Sequence, residues 1–340
     1  MKIGIAGAGI VGRLLAWHLC HHDLEVHLFD QDHIAGKTAC SLTAGGMISP
    51  IAELPLLSKP AMQFGEKALT WWHKIVQSLS HEVGFQTKGT LVIASPAQRA
   101  LLQHFVKAIK QVKPECELNL LNMNEVEKLE PEINGFIGCY LPMEAWIDPV
   151  KLFKKLGIYF LDQKLKFHSH HVVKEITHSA INTNSGNYIF NKVVDCRGLG
   201  AKNALPEIRG VRGELILCKA KEVNISRMIR LLHPRFPCYL IPRDHQQYVI
   251  GATQIESESK QPITIRSVLE LLSAAVFVHS GFQEANFIQH KVGCRPASFS
   301  NDPIVKEKDG VLYLNGMFRH GFLLAPELTY QAANKLCEIK

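Results

Sequence analysis

Residues 3–12 read Ile-Gly-Ile-Ala-Gly-Ala-Gly-Ile-Val-Gly, and a second, mostly apolar run, Glu25-Val26-His27-Leu28-Phe29, closes on Asp30. This is a strand, a Gly-x-Gly-x-x-Gly turn, a helix and a second strand ending in an acid. Each glycine answers a different demand. Gly7 permits the tight turn, Gly9 lets the backbone approach a pyrophosphate, and Gly12 lets the helix pack on the strand. The helix, opening at Ile10 and Val11, aims its free N–H groups at phosphates. Asp30 follows at the distance where a carboxylate accepts the ribose hydroxyls of an adenosine. The flanking strand, helix and acid turn a weak glycine pattern into a dinucleotide-binding signature.

The chain has 340 residues, long enough for a sizeable core and two interleaved domains. No apolar run approaches the ~20 residues that span a bilayer; the longest, Val268 to Val278, is interrupted by Glu270. The glycine-cut N-terminus reads as a first strand rather than a signal peptide. Nine cysteines with no Cys-x-x-Cys pair indicate free thiols in a reducing, cytoplasmic setting. The formal charge of +7 comes from scattered lysines and arginines, the pattern of a solvated surface rather than a nucleic-acid footprint.

Apolar periodicity predicts helices over 61–79, 98–112, 149–162 and 265–279, and a closing helix to about 336. Short strands are expected near 87–94, 165–167, 171–176, 180–183, 188–190, 192–195 and 311–315, and antiparallel strands at 211–220, 238–242 and 248–253. His18, His21 and His22 are placed in the last turn of the first helix, where a protonated imidazole complements the helix dipole. Neither they nor His168, His170 and His171 make a convincing metal set, and no metal is expected. Trp71 and Trp72 are adjacent, so one of them is expected at an interdomain border.

Several blocks together resemble the D-amino acid oxidase group of FAD-dependent amine oxidoreductases, and within it the glycine oxidases. They are the N-terminal fingerprint, Ser41-Leu-Thr-Ala-Gly-Gly-Met47, Val193-Val-Asp-Cys-Arg-Gly-Leu-Gly-Ala201, Val211-Arg-Gly-Glu214, Tyr239-Leu-Ile-Pro-Arg243, Ile250-Gly-Ala-Thr253, Gly293-Cys-Arg-Pro296 and Gly316-Met-Phe-Arg-His-Gly-Phe-Leu-Leu-Ala-Pro326. The resemblance implies an α/β (α+β) architecture: a Rossmann-like, glutathione-reductase-like FAD domain of segments 1–82, 145–207 and 293–340, and an antiparallel-sheet substrate domain of 83–144 and 208–292.

It also implies a site. Arg295 holds the substrate carboxylate through paired hydrogen bonds, Tyr239 adds a hydroxyl, and Arg319 supplies positive charge to substrate and reduced flavin. Non-covalent FAD is expected at Gly7, Gly9, Ile10, Val11, Gly12, Asp30 and Gln31. Ser41, Thr43 and Gly316 are expected at the cofactor, Gly45, Gly46 and Met47 on one side of the ring, and Met317, Phe318, Arg319, His320, Gly321, Phe322 and Leu323 along the other. Val173 reads the adenine, and Arg197, Gly198 and Gly200 form a second turn at the cofactor. Gly45 stands where the family usually carries alanine. Cys294, at the place of a flavin-linked cysteine in sarcosine oxidases, is read as an inert buried thiol.

The implied reaction moves hydride from Cα of glycine or another small amine to flavin N5. The imine is released, and dioxygen reoxidises the flavin to give hydrogen peroxide. The imine of glycine feeds thiazole synthesis in thiamine biosynthesis. Three alternatives share the fold: a dehydrogenase with a quinone or protein acceptor, an enzyme acting on a glycine-like group on tRNA, and a non-enzymatic flavoprotein. Homo-oligomerisation stays open.

Overall fold

The computed structural model describes residues 1–79 and 82–337; of the expected domain segments, 80, 81 and 338–340 lie outside the described residues. Two sheets organise the molecule. The smaller has six strands in the order Ile304–Lys308, Val311–Asn315, Lys192–Asp195, Lys2–Ala6, Glu25–Phe29, Lys166–His168. All neighbours are parallel except the antiparallel edge pair Ile304–Lys308 and Val311–Asn315. Side chains of Lys2–Ala6 alternate between two cores. Ile3 and Ile5 face the helices Ile10–Leu19, Ala68–Ser78, Pro149–Leu161 and Gly321–Cys337. On the opposite face a three-stranded antiparallel sheet, Val173–Ile176, Ala180–Thr183 and Gly186–Ile189, packs through Ile181 and Phe190. Gly4 must be glycine there, since a Cβ would lie 2.6 Å from the Phe190 ring.

The larger sheet runs Ile255–Glu256, Ile208–Lys219, Gln247–Gly251, Cys238–Arg243, Met228–Leu231, Thr90–Ala94, Ile137–Leu141, Asn119–Leu121. A long strand, Asn286–Ser298, pairs with Ile208–Lys219 along its whole length, and the expected boundary at residue 293 lies inside it. Period-2 alternation sorts the sheet's residues. Leu240, Tyr248, Ile250 and Ile216 pack under the helix Ile265–Val278, whereas Tyr239, Ile241, Val249 and Leu215 face Met47 and Trp146 of the other layer. That second face is where the two layers meet.

Several elements differ from expectation. The helix predicted over 61–79 is two, Lys59–Glu66 and Ala68–Ser78, broken at Lys67, whose Nζ reaches Glu327 at 3.1 Å. Both tryptophans dock on the last helix. Trp72 is fully buried with Nε1 donating to the Phe322 carbonyl (2.8 Å), and Trp71 donates to Glu327 (2.6 Å). The strands Asn286–Ser298, Ile137–Leu141 and Met228–Leu231 carry no clear local signal, and the helix Met123–Leu129 is not among the expected helices although its start carries one. The helix is held by a capping box between Asn122 and Glu125. His18 is not a protonated dipole partner: it is buried, its Nε2 sits 3.1 Å from the Pro326 carbonyl, and burial lowers its pKa to about 4. His168 stacks on Phe29 at 4.2 Å and pairs with His27 at 2.9 Å. Among the described residues no group of side chains could hold a metal, and no helix is long and apolar enough to cross a membrane.

Candidate active site

The first turn is built by three glycines whose constraints differ. Gly7 adopts φ +95° and its N–H donates to the Phe29 carbonyl (2.8 Å). A Cβ on Gly12 would sit 1.9 Å from the Gly7 carbonyl oxygen, so helix and turn touch backbone to backbone. A Cβ on Gly9 would meet nothing nearer than Ser41 Oγ at 3.7 Å, so the space before Gly9 is not filled by the protein. That open cradle, at a helix N-terminus, fits a dinucleotide pyrophosphate. The Ile10 N–H donates to Ser41 Oγ (3.1 Å), and Val11 is buried behind it.

Asp30 accepts from the Ala8 N–H (2.5 Å) and the Asp32 N–H (2.9 Å), leaving lone pairs for a ribose. Burial raises its pKa, against those two N–H groups. The loop beyond is stapled by residues that no motif flagged. Arg13, 1 % exposed, donates to the Ala8 (2.9 Å) and Ile34 (2.5 Å) carbonyls and stacks on Phe153. Asp32 accepts from the Lys37 and Thr38 N–H groups, and Gln31 donates to Thr38 Oγ1 (2.8 Å).

The second turn sits beside the first. Arg197 grips Asp195 through Nε and Nη2 (2.7 Å) and points Nη1 at the Val173 carbonyl (3.4 Å). Gly198 (φ +58°) gives its carbonyl to Asn315 Nδ2 (2.9 Å), and Asn315 Oδ1 takes the Gly316 N–H (2.8 Å). One buried asparagine therefore ties the 197–200 turn, closed by Gly200 N–H on the Arg197 carbonyl, to the 316–323 segment. There Met317 bridges Ala297, Phe318 takes φ +50° with its N–H on the Pro296 carbonyl, and His320 caps the helix entered by Gly321, Phe322 and Leu323.

Across from it lies the 41–47 segment, packed on the strand Asn286–Ser298. Lys291 Nζ donates to the Leu42 carbonyl (3.1 Å), and Gly293 leaves room for Thr43, whose Oγ1 a Cβ would approach to 2.0 Å. Gly46 (φ +69°) and Met47 lock onto Ile147 and Trp146. Gly45 has a local reason: Ile241 Cδ1 occupies the place an alanine methyl would need, 2.4 Å from its ideal Cβ.

Arg295 leaves the same strand over Gly213, where any Cβ would lie 2.2 Å from Nη2. Nη1 donates to the Thr253 carbonyl (3.1 Å), and burial pulls the guanidinium pKa down to about 10, with Arg319 adding to the shift. Among the described residues no carboxylate pairs with it. Arg319 and Tyr239 stand otherwise. Arg319 Nη2 donates to Glu53 Oε2 (2.7 Å) and the Tyr239 hydroxyl to Glu53 Oε1 (3.1 Å). Arg230 reaches the same Oε1 at 3.3 Å, and His320 Nδ1 lies 3.7 Å from Oε2. Glu53 is 4 % exposed. Burial pushes its pKa up, but Arg319 and Arg230 outweigh this and hold it below the usual value. Burial lowers His320 to about 4, so it is neutral. Beneath, Glu144 takes the Ala52 N–H (2.7 Å), and burial raises its pKa to about 7.

Sequence reasoning missed Glu53, Arg230 and Glu144. The available signal was a lone charge inside an apolar run, as in Ile51-Ala-Glu-Leu54 and Met228-Ile-Arg-Leu231. Cys294 Sγ faces the carbonyls of Ser259 (3.6 Å) and Ser257 (4.0 Å), and burial raises its pKa.

Comparison with known proteins agrees with this construction. The family model of DAO, FAD-dependent oxidoreductases, matches residues 2–333. The chain belongs to this family. Among curated proteins it is 33% identical over 338 residues to a Rhizobium etli protein named for thiamine biosynthesis, oxidoreductase ThiO, covering 99% of this chain and 96% of that one. Among solved structures, glycine oxidase from Geobacillus kaustophilus superposes with a TM-score of 0.87 at 20% identity, over 100% of this chain and 95% of that one. Iminodiacetate oxidase from Chelativorans sp. BNC1 gives 0.84 at 22%, over 98% and 95%. The mixed α/β fold of this DAO chain and its FAD cofactor follow from the family.

Proposed function

We propose that this DAO-family chain oxidises a small amino acid, with glycine or its N-methyl derivative sarcosine as the leading substrate, and passes the electrons to dioxygen. The observation that carries the reading is Arg295: a desolvated guanidinium with two parallel donors and, among the described residues, no carboxylate partner, set between the sheet face and the 316–323 segment. A buried cation without a partner is costly, and a substrate carboxylate relieves that cost. The relatives named for glycine oxidation and thiamine biosynthesis support the small substrate.

FAD, held at Gly7, Gly9, Ile10, Asp30, Ser41 and the 316–323 segment, supplies the two-electron acceptor for the substrate Cα–H. The chain's own part is binding and electrostatics. Arg295 fixes the carboxylate and hence the direction of the Cα–H bond. Tyr239, its hydroxyl donating a hydrogen bond to Glu53, walls the pocket beside it. Arg319 and Arg230 exceed Glu53 by one positive charge, a residual field that would favour the negative charge of a reduced flavin while Glu53 keeps their donors occupied. The two interleaved segments sets, 1–82, 145–207 and 293–340 against 83–144 and 208–292, would then present the cofactor and the substrate wall respectively.

The test is anaerobic titration of the yellow protein with glycine, sarcosine, D-alanine and D-proline, followed by admission of air. Bleaching by glycine or sarcosine, with colour and peroxide returning in air, is expected. Bleaching without return in air would replace the oxidase by a dehydrogenase. No bleaching by any of the four would overturn the small-substrate reading.

A further inference from the structure

Beside Arg295, near enough for Arg319 to lower its pKa, three side chains already hold a carboxylate, and it belongs to the chain. Glu53 receives Arg319 on one oxygen (2.7 Å) and Tyr239 (3.1 Å) and Arg230 (3.3 Å) on the other. Its backbone is anchored twice: the Ala52 carbonyl takes Arg230 Nη1 (3.2 Å) and the Ala52 N–H is held by Glu144. Arg230 itself is clamped between the rings of Phe105 (5.0 Å) and Tyr239 (5.3 Å). This is a complete anion seat of two guanidiniums and a hydroxyl, the donor set that would bind a carboxylate of a ligand.

Resting on the small-amino-acid reading above, we infer that Glu53 is a specificity-determining residue: it fills the pocket's second anion seat, so the site takes amines with one carboxylate, held at Arg295, and turns away amine dicarboxylates. A second substrate carboxylate would have to displace Glu53 from Arg319 and Arg230, leaving a buried unpaired anion, or lie beside it as a like charge. An amine or ammonium group meets no such conflict. Replacing Glu53 by an amide keeps the shape and frees one positive charge on the seat.

The decisive experiment compares kcat/KM for glycine, sarcosine and iminodiacetate in the wild-type holoenzyme and in Glu53→Gln. The variant is expected to shift the ratio toward iminodiacetate by at least about tenfold, one added charge contact in a desolvated pocket. A change in overall rate with the ratio unmoved would overturn the inference and leave Glu53 a structural group. A second arm uses the wild type alone, so a variant that fails to fold or hold FAD leaves the question answerable. Acetate and malonate are titrated against the flavin absorbance of the holoenzyme. Malonate is expected to bind no more tightly than acetate; binding tenfold tighter or more would overturn the inference. This arm needs no turnover, so it stands even if no amine bleaches the wild-type flavin, an outcome that would count against the substrate reading instead.

Discussion

The proposed nucleotide cradle and the proposed substrate wall are built on opposite plans. Most of the cradle comes from one continuous stretch, Lys2 to Thr43, in which hydrogen bonds link near neighbours: Ala8 to Asp30, Ile10 to Ser41, Arg13 to Ile34. The wall collects Arg230, Tyr239 and Arg295 from three strands of the larger sheet, and Glu53 and Arg319 from turns in separate parts of the chain. At Gly7 and Gly12 of the cradle the constraint is backbone against backbone, and only glycine satisfies it. In the wall the constraint is charge against charge, and several side-chain arrangements would satisfy it. Disturbing the first is expected to cost the cofactor; disturbing the second is expected to change what the enzyme accepts while the cofactor stays.

The largest effect that tests this contrast is at Gly12. Gly12→Ala puts a methyl 1.9 Å from the Gly7 carbonyl oxygen, so a colourless protein with a lowered melting temperature is expected. Gly9→Ala sharpens the point, because the protein leaves that space open. Apoprotein melting should stay near wild type while FAD affinity, followed by flavin fluorescence, falls. Equal melting losses in both variants would break the distinction between a packing glycine and a cradle glycine.

Next in size is Arg295→Ala, expected to lower kcat/KM by about a hundredfold or more, the loss of two charge-assisted hydrogen bonds, with the flavin spectrum intact. Arg295→Lys restores only part of it, since a lysine cannot reproduce the fork. A variant that sheds FAD would place Arg295 in the cradle rather than the wall. Asp30→Ala is expected to weaken FAD about tenfold, one hydrogen-bonded carboxylate, leaving KM of the loaded enzyme unchanged.

A smaller, pH-dependent effect lies at Glu144. Burial raises its folded pKa to about 7, above its unfolded value. Stability tied to the protonated acid is therefore full below the unfolded pKa and lost as pH rises through the folded one. Melting curves from about pH 5 to about pH 8 should show a loss that Glu144→Gln reduces; an identical pH profile in the variant would remove Glu144 from the account. The smallest effect is expected at Cys294: with its thiol turned to the Ser257 and Ser259 carbonyls, denaturing mass spectrometry should show no added FAD, and Cys294→Ser should keep the bound flavin.

The same contrast explains what was legible. The strand–turn–helix of residues 2–19 and the acid at Asp30 were readable because their physical causes lie within thirty residues of one another. The long strand Asn286–Ser298 was not, because its first residues are exposed and lack alternation, and its pairing with Ile208–Lys219 is remote in sequence. One of Trp71 and Trp72 was expected at an interdomain border, and only the packing of Gly321–Cys337 shows that both indole N–H groups find partners on that helix.

By itself, the sequence determined the phosphate-facing turn, the α/β class and, through motif order, the position of Arg295 in a pocket-forming block. The turn and the class follow from φ preferences, side-chain period and glycine sterics, which act over a few residues, whereas the place of Arg295 was implied only by the resemblance to the family. Tertiary structure alone decided which arginine is left, among the described residues, without a carboxylate partner. Arg295 and Arg319 carry the same charge in similar motifs, yet Glu53 arrives from far along the chain to neutralise one and leave the other. Pairing of buried charges depends on distance in space, and a local reading of the chain holds no information about it.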